Sequence, residues 1–114
     1  MHDQLIGEIE NQFMVCDLNS LEPADDIENE DISSDIPTLV LAGDYDPITP
    51  LSDAQLAAET LSYSYYFEFP GHGHGITDSS DCGRSVIDQF LADPTIEPDG
   101  SCIDELGGPL FIIR

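Results

Sequence analysis

Residues 36–75 read IPTLVLAGDYDPITPLSDAQLAAETLSYSYYFEFPGHGHG, and the order of patterns in this stretch decides the fold class. IPTLVLAG, from Ile36 to Gly43, is a compact apolar run of strand length that ends in glycine, the form of a strand buried on both faces of a parallel sheet. DYDPITP follows as a turn-rich connection in which Pro47 and Pro50 restrict the backbone on either side of Ile48 and Thr49. SDAQLAAETL is rich in good helix formers, with Ser52 or Asp53 as its cap. Tyr65, Tyr66, Phe67 and Phe69 mark a second strand, YYFEF, closed by Pro70 and the turn GHGHG. Strand, helix and strand in that order form a βαβ unit, whose parallel strands bring both C-terminal ends to one edge of the sheet. Open α/β sheets carry their sites at that edge.

Upstream of this unit, Leu5, Ile6, Ile9, Phe13 and Met14 fall on one helical face, with Asp3 in the N-cap position; the spacing predicts a short amphipathic helix over residues 3–15. Residues 22–35, EPADDIENEDISSD, are half Asp and Glu with no apolar period, and read as a solvated loop or linker. The DxDxDG spacing of a calcium loop is missing. Downstream, residues 83–91 set Val86, Ile87, Phe90 and Leu91 on one face of a last helix, which can cover the sheet and stops at Asp93 and Pro94. A turn-rich tail with Cys102 ends in the short apolar GGPLFIIR, whose pairing stays open. The expected division is a helix and connection over 1–21, an acidic loop over 22–35, an α/β segment over 36–106 and a tail over 107–114.

With 114 residues the chain can hold one core at most, and 40% apolar content argues against wholesale disorder. Arg84 and Arg114 face 24 acids, a net charge of −22, which excludes nucleic-acid and anionic-membrane binding. Such a charge repels itself in dilute buffer and is screened in brine, so a saline setting and a melting temperature that climbs steeply with salt are expected. No run approaches the ~18 apolar residues of a membrane helix, and the N-terminus has no basic or hydrophobic stretch resembling a signal peptide. Cys16, Cys82 and Cys102 lack CxxC pairing, and an odd number leaves one without an internal partner. No metal and no cofactor are expected.

The two strands end in loops that carry Asp46 and His74, and the topology sets those loops side by side. A carboxylate beside an imidazole fixes its tautomer and stabilises the imidazolium formed when the ring takes a proton from a nucleophile. Asp44, directly after the strand's last glycine, is assigned to the loop's own hydrogen bonding. His74 is preferred to His72 because Gly73 and Gly75 on either side of it let other groups approach. From the residues alone, an equal reading is that GHGHG is a flexible turn and DYDP an Asx-type turn.

SDIPTLVLAGDYDPITP, FEFPGHGHGI, CGRSVIDQFLADPT and SCI together resemble the C-terminal region of tripeptidyl aminopeptidase-like (TAP-like) serine α/β-hydrolases, over about residues 34–106. The resemblance implies a C-terminal βαβα fragment of an α/β-hydrolase fold, an incomplete parallel sheet with covering helices. It implies that Asp46, in GDYDPITP, is the triad acid and that His74, in GHGHG, is the triad histidine. Cys82 and Cys102 match cysteines that the family pairs, a bridge that would pin the end of the last helix to the tail. Cys16, in FMVCDL, resembles a cysteine whose partner lies elsewhere, so its thiol should be unpaired. Such hydrolases run Ser, acid, His, with the serine on a G-x-S-x-G elbow upstream of the acid. No G-x-S-x-G occurs in these residues, and Ser20, Ser33 and Ser34 lack the flanking glycines.

The expectation is therefore a truncated or split piece: the acid and base half of a serine exopeptidase or esterase, inactive alone and partnered by an upstream half that supplies the serine. Its parent would act on small peptides or esters, in the secreted or periplasmic setting of exported relatives. A non-catalytic remnant or an acidic interaction domain is the competing expectation.

Overall fold

A computed structural model describes residues 2–20 and 22–108, with side chains in the first helix from Ile6 onward. The Asp3 cap, the contribution of Leu5 and the apolar end of the tail from Pro109 lie outside the described residues.

The chain divides into two units, Met1–Glu30 and Asp31–Arg114. In the first, α1 spans His2–Leu18. It outruns the predicted end because no glycine or proline lies between Val15 and Leu18, and Asn19 closes it by donating from Nδ2 to the Val15 carbonyl at 2.7 Å. A 3-10 turn over Asp26–Asn29 lies within the acidic stretch and is exposed throughout.

The second unit contains β1 (Thr38–Gly43), α2 (Leu51–Thr60), β2 (Ser64–Phe69), α3 (Ile76–Ser79), α4 (Asp81–Ala92) and a 3-10 turn over Ser101–Glu105. The strands pair in parallel, in a register that runs from Thr38 opposite Ser64 to Gly43 opposite Phe69. An isolated bridge between Ser34 and Leu61 prolongs the pairing before β1. Successive side chains alternate between the faces of a sheet. Leu39, Leu41, Phe67 and Phe69 accordingly point to one face, where they pack with Ile76 of α3 and Val86 of α4. Phe69 and Val86 are fully buried, each burial contributing roughly 1.5–3 kcal/mol. Glu68, of opposite parity, accepts from Gln55 of α2 at 3.0 Å, which places α2 over the other face.

Three local expectations change. Only Ala42 and Gly43 of β1 are buried, whereas Thr38–Leu41 are half-buried, so the strand is enclosed at its C-terminal end and not along its length. Pro50, not Ser52 or Asp53, occupies the N-cap of α2. Its carbonyl accepts from the Asp53 amide at 2.9 Å, and the ring fixes the entry φ at −63°. The last helix begins at Asp81 rather than 83, because the buried Ser80 caps it by accepting from the Gly83 amide at 3.1 Å. The extra turn α3 precedes it.

Candidate active site

Parallel pairing brings the loop after β1 against the loop after β2, and Gly43 sets how closely they meet. A Cβ there would lie 2.3 Å from the His72 carbonyl oxygen and 2.6 Å from that of Gly73, so no side chain fits. Backbone amides stitch the contact: Tyr45 N–H donates to His72 at 3.0 Å, and Asp44 N–H donates to Phe69 at 3.4 Å. Asp44 Oδ1 accepts from the Gly71 amide at 2.7 Å, the loop-binding task assigned to it. His72 donates from Nδ1 to the Pro70 carbonyl at 2.8 Å, which folds its ring back onto its own turn.

Asp46 and His74 meet across this junction. Asp46 Oδ1 accepts from the amides of Ile48 (2.8 Å) and Thr49 (3.0 Å), while Oδ2 accepts from the Thr49 hydroxyl (2.6 Å) and lies 2.9 Å from His74 Nδ1. The Asx-type turn and the acid–histidine pair are thus both realised, one on each carboxylate oxygen. The side chain of Asp46 is 6% exposed and that of His74 is 54% exposed. The Thr49 hydroxyl first, then the Thr49 and Ile48 amides and His74, hold the Asp46 carboxyl well below its usual range against the opposing effect of burial.

An ionised carboxylate only accepts, so His74 donates from Nδ1, and the ring in its neutral form presents Nε2 as a proton acceptor. Among the described residues nothing bonds Nε2. Beside the pair lies a cleft of about 240 Å³, walled by Leu41, Gly43, Gly73, Ile76 and Thr77. Gly75, at φ +83°, turns the chain out of the histidine loop and into α3, whose first residue, the buried Ile76, anchors it in the core. A larger groove of about 510 Å³, between β2 and the segment around Ser101, is lined by Glu68, Glu97, Asp99 and Asp104 and lacks a paired base. Chemistry favours the smaller cleft.

Cys82 and Cys102 form a disulfide with Cα atoms 5.8 Å apart, which ties the N-terminal end of α4 to the 3-10 turn at Ser101–Glu105. Cys16 is a free, exposed thiol. Thr49 is the site residue that the sequence reading passed over; its signal is the Asp-x-x-Thr spacing from Asp46.

A family model described as TAP-like protein matches residues 5–102, a span that contains Asp46, His74 and all three cysteines. No curated protein and no solved structure matches the chain.

Proposed function

The chain belongs to the TAP-like family of α/β-hydrolases, and on that premise we propose that it supplies the acid and the general base of a serine hydrolase that transfers acyl groups from short peptides or esters to water. The observation that carries this reading is the 2.9 Å contact between Asp46 Oδ2 and His74 Nδ1, with Nε2 turned free beside a cleft.

In the proposed reaction a serine on a segment outside these residues attacks the substrate carbonyl, and its proton passes to His74 Nε2. Asp46 holds the ring and offsets the positive charge that forms on it. His74 then gives the proton to the leaving amine or alcohol as the acyl bond to that group breaks. Water attacks the acyl-serine by the same route in reverse, releasing the acid and restoring the serine. The two-stranded parallel sheet with its covering helices fits a part of an α/β-hydrolase sheet.

The test joins this chain to the reading frame encoded immediately upstream of Met1 and assays aminoacyl esters and short peptide amides. The 114-residue chain alone is expected to show no turnover above background. The joined protein should turn over, with Asp46→Asn costing about 10⁴-fold and His74→Ala at least as much. Turnover that survives His74→Ala would refute the assignment.

A further inference from the structure

We propose that Thr49 is a positioning residue for the Asp46–His74 pair: its hydroxyl holds Asp46 Oδ2 so that the remaining lone pair faces the imidazole. The proposal rests on the reading of Asp46 and His74 as acid and base.

Both carboxylate oxygens turn together on one intrinsically broad torsion, and the two amides restrain it through Oδ1 only. Thr49 Oγ1 closes that freedom. It donates to Oδ2 at 2.6 Å and stands 3.3 Å from His74 Nδ1, so the Nδ1–H faces two oxygens, both able to accept. That arrangement favours the Nδ1-protonated tautomer and leaves Nε2 as the proton acceptor. Thr49 is itself stiff. Its amide is bonded to Oδ1, Pro50 restricts its backbone from the following side, and its β-branch restricts χ1. Of the residues that line the cleft, only Asp46 and His74 carry ionisable side chains, and the Asp78 carboxylate lies next to Gly75 at its edge.

Thr49→Val keeps the amide and the β-branch, hence the turn, and deletes only the hydroxyl. Ring-nitrogen NMR on the ¹⁵N-labelled full chain, with His74 assigned by His74→Gln, reads the tautomers at a pH where the ring is neutral. The ratio of Nδ1-protonated to Nε2-protonated ring should fall about fivefold in Thr49→Val, the worth of the one neutral hydrogen bond that Nδ1–H gives up at Thr49 Oγ1. Thr49→Ser, which restores the hydroxyl without the β-branch, should recover most of the ratio. Asp46→Asn, which places a donor against Nδ1, should change it further. A Thr49→Val ratio equal to wild type alongside a shifted Asp46→Asn ratio overturns the role of Thr49 and leaves the pair intact. If neither variant shifts the ratio, the pair itself has been misread. Should Thr49→Val lose its fold by circular dichroism, Thr49→Ala is read against the same outcomes.

Discussion

Breaking the Cys82–Cys102 disulfide should cost far more stability than deleting a surface contact, and the size follows from where the bridge sits. The two cysteines are 20 residues apart in sequence. Closing a loop of that length in the unfolded chain is worth about 2.1 + 1.5R ln 20 ≈ 11 cal/mol/K, or roughly 3.3 kcal/mol at 298 K. For a unit of the size of Asp31–Arg114, each kcal/mol moves the midpoint by about 4–8 °C, so reduction should lower Tm by roughly 13–26 °C. Both cysteines also pack against the Phe69, Ile76 and Val86 cluster, so loosening them should soften the ground beneath α3 and the histidine loop. The measurement is thermal unfolding by circular dichroism with and without reductant, in a Cys16→Ser background that prevents disulfide exchange with the exposed thiol. Cys82→Ser/Cys102→Ser serves as the covalent control. Oxidised and reduced chains that melt within about 3 °C of each other would contradict the loop-entropy reasoning.

Gly43→Ala should destabilise by about 3 kcal/mol, the upper part of the overpacking range, since the added Cβ meets the His72 and Gly73 carbonyls and backbone must shift; an unchanged urea midpoint would count against this. Asp46 has a folded pKa below its unfolded value of 3.8, so its contribution is present above that value and is lost as pH falls further. The stability gap between wild type and Asp46→Asn should therefore be widest above about pH 5 and shrink below about pH 4, and a gap independent of pH in urea titrations would refute the assignment. With a net charge of −22, the melting temperature should climb steeply from dilute buffer to molar salt, and a flat profile would remove the case for a saline setting.

The elements that frame the site were legible because their sequence signals are local. LVLAG and YYFEF are apolar and β-prone over strand length, and the intervening helix formers leave a parallel crossover as the way to connect them. That topology alone brings Asp46 and His74 together. Flanking glycines do not separate the two histidines, since Gly71 and Gly73 flank His72 as well; the structure separates them, through the bond from His72 to Pro70 and that from His74 to Asp46. The break between α3 and α4 was less legible, because Ser80 caps α4 only once it is buried beside Ile76 and Gly83, a tertiary circumstance. Thr49 was missed because a hydroxyl between two prolines reads first as turn geometry. The disulfide was expected from resemblance, since spacing alone does not choose between pairings of three cysteines.

The division of labour on the Asp46 carboxylate has an evolutionary corollary. One oxygen builds the turn by accepting two amides, whatever happens to the other. The His74 side chain, half-exposed, is hydrogen-bonded only to Asp46 and Thr49 among the described residues. On the proposed reading, a lineage released from selection for hydrolysis would still lose the turn by replacing the aspartate, yet could replace the histidine at little structural cost. Drift should therefore erase the imidazole first, so that a descendant with Asp at 46 and any other residue at 74 bears the mark of abandoned chemistry.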